Sequence, residues 1–176
     1  GFLEEIIKHF VVVRADQRIF SSIDEIIELS IVAALGFAFL ENVTYFYRMF
    51  LTEGLSTSFY ILALQRSVFV MFVHILCSGI YGYFYGMGYF AKPYMQYEMA
   101  KGKTFFLANL MSQLLHQKPA EFFREKMMMT GLIVASVLHG LYDFAMDRNP
   151  LLYFGFAMVQ LHVVLLPVML FFGMWY

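Results

Sequence analysis

Apolar residues run along this chain in long stretches, each broken by one or two acids, histidines or basic residues. The first stretch, about Gly1 to Val13, reads as a helix carrying Glu4, Glu5, Lys8 and His9 among apolar positions. A short polar connection, Arg14 to Arg18, follows. Ser21 and Ser22 are good cap residues ahead of Asp24, Glu25 and Glu28, and predict a second helix reaching about Phe50. It is apolar from Leu29 onward, interrupted by Glu41 and Asn42, and Thr52 to Ser58 reads as a loop. The third stretch, about Phe59 to Phe90, contains Arg66 and His74. Within its glycine-rich second half, Gly82 and Gly86 have the four-residue spacing that lets helix backbones approach closely in lipid.

Lys92 to Lys126 is the one substantial polar region. Phe105 to His116 inside it has the pattern of an amphipathic interfacial helix, and Pro119 marks a break. Two more spans, Met127 to Met146 and Leu151 to Tyr176, are separated by Asp147-Arg-Asn-Pro150. The expectation is an all-α polytopic transmembrane helical bundle, a single membrane-embedded domain over 1–176. It would hold about four full spans, a motif-bearing N-terminal helix and an interfacial helix. The chain starts as though partway through a helix, so a preceding span is expected to have been cropped.

Composition supports lipid as the solvent. The chain is 61% hydrophobic and 14% charged, against about 45–50% and about 25% in soluble domains. A soluble chain of 176 residues cannot hide that much apolar surface. The net charge of −1 says nothing of partners, but its distribution does. Arg14, Arg18 and the basic residues between Lys92 and Lys126 fall on one face, which the positive-inside rule makes cytoplasmic. The lone cysteine, Cys77, excludes an intrachain disulfide and a cysteine-based zinc site. The opening Gly-Phe-Leu-Glu-Glu does not read as a signal peptide, and the sequence shows no phosphate-binding loop, no His-Glu-x-x-His motif and no nucleic-acid motif.

Charged groups near the bilayer centre are costly and usually mark function. At a rise of 1.5 Å per residue, Glu5 lies about 14 Å from the Arg14 edge. Glu41, His74 and His139 each lie about 18 Å into their apolar runs. Four helices therefore bring an acid or an imidazole to one depth. Glu4 and Lys8 share a helical face, as do Glu5 and His9, and Arg66 and His74 lie on one side of their helix. His139 and Asp143 are also one turn apart, so that Asp143 is expected to orient the imidazole. Taken singly, each of these residues has a structural reading as an ion pair, interhelical glue or a packed histidine. His162, with Gln160 and no acid at helical spacing, reads as structural.

A glutamate in an apolar pocket suits a general base that activates water. Two histidines from other helices can bind a metal or stabilise an oxyanion. Either use yields hydrolysis of an amide bond inside the membrane. Ser67, Ser78 and Ser136 lack the context of a nucleophile.

Four ordered motifs resemble those of the PrsW-type intramembrane proteases. Phe2-Leu-Glu4-Glu5-Ile-Ile-Lys8 resembles that family's Glu-Glu-x-x-Lys motif, and Phe37-Ala-Phe-Leu-Glu41-Asn42 its Phe-x-x-x-Glu-Asn motif. Arg66 through His74, followed by Gly79 to Gly82, is similar to its third segment, and His139-Gly-Leu-Tyr-Asp143 to its His-x-x-x-Asp motif. The resemblance spans positions 2 to 143. It implies an endopeptidase of the prokaryotic cell membrane, distantly related to CAAX-processing and bacteriocin-immunity proteases. Such enzymes cut membrane-anchored proteins, notably an anti-sigma factor at the first step of a stress-signalling cascade.

By matching position, Glu4 and Glu5 would be the essential acids, with Glu4 as the water-activating base. His74 and His139 would complete the centre, supported by Glu41, Asn42, Asp143, Lys8 and Arg66. A zinc ion would be held by Glu4, Glu5, His74 and His139, unless a metal-free glutamate mechanism operates. Members usually carry further spans before the first motif. The rival readings are a proton-linked carrier or channel relaying through Glu41, His74 and Asp143, and a membrane cytochrome with His74 and His139 as haem ligands. No inverted repeat favours the carrier.

Overall fold

The computed structural model describes residues 1–14 and 20–148. Six α-helices and no strands are present among the described residues: α1 (Phe2–Arg14), α2 (Ile23–Glu53), α3 (Thr57–Tyr89), α4 (Ala91–Ala100), α5 (Phe106–Leu115) and α6 (Pro119–Arg148). The chain divides into two compact units, Gly1–His139 and Gly140–Tyr176, with the boundary inside α6. The expected last span from Leu151, with Gln160 and His162, and most of the Arg14–Arg18 connection lie outside the described residues.

Local chemistry explains the helix starts. Ser22 caps α2 by accepting from the Glu25 amide at 3.3 Å, while the Glu25 carboxylate reaches back to the Ser21 amide at 2.8 Å and its hydroxyl at 2.7 Å. These bonds satisfy amides that have no partner inside the helix. Ser56 caps α3 in the same way through the Phe59 amide at 3.1 Å. Between α2 and α3 the connection shrinks to a few residues around Gly54, whose φ of 64° favours a residue without a side chain. The loop expected over Thr52–Ser58 is therefore mostly helix.

The break expected at Pro119 is present: α5 ends at Leu115 and Pro119 opens α6, where its missing N–H costs nothing. Other expectations change. The polar stretch before Met127 thus forms the first turns of a 30-residue helix. Ala91–Ala100, read as part of a polar region, is also helical. The helix expected over Phe105–His116 is present as α5 and stops at His116 in the left-handed conformation, φ 55°.

Packing is tightest between α2 and α3, and small residues make it so. A Cβ on Gly82 would stand 2.7 Å from Ser30 Oγ and 2.9 Å from Ile27 Cα, and one on Gly86 would stand 2.8 Å from Ile23 Cγ2. Ser30, Ala34 and Ala38 on α2 are fully buried. The predicted small-residue seam is what brings the two helices together. α6 approaches α3 through Gly131, whose added Cβ would meet Phe84 Cβ at 2.7 Å, and through Gly88 against the Arg124 carbonyl.

Beside a small apolar core, burial departs from that of a soluble protein at particular positions. Glu5, Lys8, His74 and His139 are each at most 3% exposed, whereas Leu64, Val68, Ile133 and Val137 are more than half exposed. Polar groups inside and large aliphatics outside are what lipid solvation selects. α3 and α6, over Thr57–Tyr89 and Pro119–Met146, are long and apolar enough to cross a membrane. Two such helices stand among the described residues, where the sequence reading expected about four in the whole chain. A separate cluster of Ala91, Met95, Ala108 and Phe123 ties α4, α5 and the start of α6 together.

Candidate active site

One polar cluster in the Gly1–His139 unit draws side chains from α1, α2, α3 and α6. Glu5 and Lys8 lie on the buried face of α1, three residues apart, with Val12 one turn further on. Lys8 Nζ donates to Glu5 Oε1 at 2.5 Å, and the same oxygen pairs with His139 Nδ1 of α6 at 2.7 Å. Glu41 of α2 accepts from Arg66 Nη2 at 2.6 Å on one oxygen and pairs with His74 Nε2 at 3.0 Å on the other, both partners coming from α3. The eight-residue spacing of Arg66 and His74 puts them on one side of α3, and Glu41 bridges them. The two imidazoles meet edge to face with centroids 4.7 Å apart. The expected shared depth of Glu5, Glu41, His74 and His139 becomes direct contact.

The two adjacent glutamates differ. Glu5 is 2% exposed and committed to Lys8 and His139. Glu4 is 30% exposed, borders a cleft of about 400 Å³ and turns Oε2 toward His139 Nε2 at 3.5 Å. That Oε2 has no hydrogen-bond partner, and neither has the buried Nδ1 of His74. The cleft is walled by Phe37, Leu40, Thr44 and Tyr45, with Glu41 and Arg48 along its length.

Tautomers follow from these bonds rather than from seen protons. If each carboxylate accepts from its imidazole, His139 carries its proton on Nδ1 and His74 on Nε2. Each neutral ring then keeps a lone pair on the other nitrogen. One ligand atom from each of Glu4, His74 and His139 lies within 4.8 Å of the others. Two histidines whose far nitrogens are held by carboxylates, beside an unsatisfied carboxylate oxygen, are a donor set of the kind that holds catalytic zinc. The residues present fit a divalent metal.

Several pairings differ from those the spacing suggested. Lys8 pairs with Glu5 rather than Glu4, and His9 hydrogen-bonds the Tyr81 hydroxyl rather than Glu5. A three-residue step happens to face the α1–α6 contact, which spacing alone does not reveal. The carboxylate 2.7 Å from His139 Nδ1 is Glu5. Asp143, expected to orient that ring, belongs to the Gly140–Tyr176 unit. Asn42 is buried beside Glu41 with Oδ1 unpartnered. Ser78 and Ser136 are buried, and among the described residues neither hydroxyl has a hydrogen-bond partner.

Of the two aromatic residues at the site, Tyr45 escaped the sequence reading, and Phe37 entered it only as the first residue of a motif. Phe37 lies under the Lys8 ammonium at 5.5 Å and beside His74 at 6.0 Å, and Tyr45 lies under the Arg66 guanidinium at 3.9 Å. Their signal is periodic, since Phe37, Glu41 and Tyr45 recur every four residues on one face of α2.

A family model described as PrsW family intramembrane metalloprotease matches residues 1–118. Comparison with curated proteins and with solved structures gave no match. His139 lies beyond the matched segment and joins it through Glu5.

Proposed function

The chain belongs to the PrsW family of intramembrane proteases, and on that premise we propose that it is an endopeptidase cutting membrane-anchored proteins, with Glu4, His74 and His139 at its centre. One observation carries this reading: ligand atoms of these three residues, from three different helices, lie within 4.8 Å of one another. In this reading α2, 31 residues and about 46 Å long, crosses the bilayer beside α3 and α6. The Lys92–Lys126 segment then faces the cytoplasm. The substrate is a single-span protein of the anti-sigma-factor kind that the family resemblance implies. Its unwound segment enters the cleft between Glu4 and Arg48.

The chain's own residues divide the work. Glu41 and Glu5 each hold one imidazole in a fixed tautomer and orientation. Lys8 and Arg66 stand against those two carboxylates and balance their charge, Lys8 in the buried interior and Arg66 beside the cleft. Glu4, the carboxylate left uncommitted and open to the cleft, takes a proton from the attacking water and returns it to the leaving amine. His74 and His139, with Glu4 the nearest carboxylate, are the residues that would hold a zinc ion, which when bound would polarise the scissile carbonyl.

The test is reconstituted wild-type protein beside Glu4→Gln, His74→Ala and His139→Ala, read for cleavage of a single-span substrate library and for metal by elemental analysis. The expected result is about one zinc per wild-type chain, cleavage lost in all three variants and metal lost in both histidine variants. Metal retained in Glu4→Gln makes Glu4 a base only; metal lost makes it a ligand as well. Cleavage that survives all three substitutions would falsify the assignment. The haem alternative finds no support, because edge-to-face imidazoles leave no slot for a macrocycle between them. The carrier alternative predicts ion flux dependent on Glu41 without peptidase activity.

A further inference from the structure

A second cleft, of about 520 Å³, opens at the opposite end of the helices' polar chemistry, among α3, α4 and α6. It lies where α3 ends, at Gly88 and Tyr89, and where α6 begins, at Pro119. These are ends of the two helices apolar enough to cross a membrane. Gly88 fixes that meeting, since an added Cβ there would stand 2.8 Å from the Arg124 carbonyl. If α3 and α6 cross the bilayer, this cleft sits at one of its faces, at headgroup depth.

The lining has two characters. Met95 and Met99 of α4 give it an apolar, adaptable wall. Lys92, Lys118 and Arg124 surround that wall with three cations, against one carboxylate, Glu121, which engages Lys118 at 3.7 Å. Nearby, α5 leaves Phe106, Leu107, Leu110, Leu114 and Leu115 exposed while burying only Ala108 and Ser112. A short helix with its large apolar residues turned outward rests naturally on acyl chains.

We propose that this cleft binds one anionic phospholipid, its phosphate held by Lys92, Lys118 and Arg124 and an acyl chain laid along Met95 and Met99. Charge complementarity selects the occupant. A zwitterionic lipid brings its own cation to a site already rich in them, and a free phosphate leaves the methionine wall unused. The proposal rests on the membrane-spanning reading of α3 and α6, but not on the protease chemistry.

The experiment is native mass spectrometry of the purified full chain, titrated with palmitoyl-oleoyl phosphatidylglycerol or the matching phosphatidylcholine. Wild type is expected to retain one phosphatidylglycerol tightly and phosphatidylcholine at least about tenfold more weakly. Each of Lys92→Gln, Lys118→Gln and Arg124→Gln, all surface changes, should weaken phosphatidylglycerol about fivefold. Glu121→Gln should strengthen it, because it removes the one repelling carboxylate and frees Lys118. Equal retention of the two lipids by wild type overturns the proposal. So does an unchanged phosphatidylglycerol affinity in all three lysine and arginine variants. An acidic peptide that binds with the same residue dependence, while the lipids show none, assigns the cleft to a protein partner and equally overturns it. Because this readout needs no cleavage, its failure is separate from failure of the protease assignment.

Discussion

Lys8 decides how Glu5 behaves. It is 2% exposed and its ammonium meets a carboxylate that is also 2% exposed, so neither has water to fall back on. Removing one partner of such a pair strands the other, at a cost of about 3–5 kcal/mol in soluble proteins. Lys8→Met is therefore expected to lower resistance to detergent unfolding by about that amount. The double variant Lys8→Met with Glu5→Leu should regain much of the loss yet remain inactive, because His139 no longer has its carboxylate. If the double variant is no more stable than Lys8→Met alone, the stranded-charge argument fails. Every residue of the cluster was legible as a costly group in an apolar helix. Which acid takes which base was not. Glu4 and Glu5 occupy adjacent positions about 100° apart around the helix axis, so which of them meets His139 depends on how α1 is turned against α6, and the sequence does not carry that angle.

At the level of elements, the glycine seam carries the site. Gly82 faces Ser30 and Ile27 within 3 Å of where a Cβ would be, and both belong to backbone or to a short side chain that cannot swing away. Gly82→Val is expected to push α2 from α3 at a cost of about 1–3 kcal/mol. It should also reduce cleavage, because Glu41 must reach across that seam to His74 and Arg66. Gly36→Ala, with open space around its position, is the matched control and should leave both unchanged. Unaltered stability in Gly82→Val would show that the seam is looser than described. Helices α1, α2 and α3 were readable from capping serines and apolar runs to within a few residues. α4 was not, because Lys92, Pro93, Gln96 and Glu98 disguise it as a connection. What orders it is contact rather than propensity: Met95 packs with Phe123 and Ala108 from two other helices. Tyr94 stacks on Phe123 at 5.8 Å.

For the molecule as a whole, charge asymmetry predicts orientation. With Lys92–Lys126 toward the cytoplasm, Lys101→Cys should react with a membrane-impermeant maleimide in inverted vesicles and stay unlabelled in intact cells. The native Cys77 is buried and contributes little background. Labelling from the outside would invert the topology. It would also leave the anionic-lipid cleft facing the wrong leaflet, although the catalytic cluster would stand. The contact between Glu5 and His139 bridges 134 positions of sequence. On the protease reading the acid is therefore made long before its imidazole, and no competent centre can form until most of α6 has been synthesised. Membrane proteins being made beside it would then be spared until that contact closes.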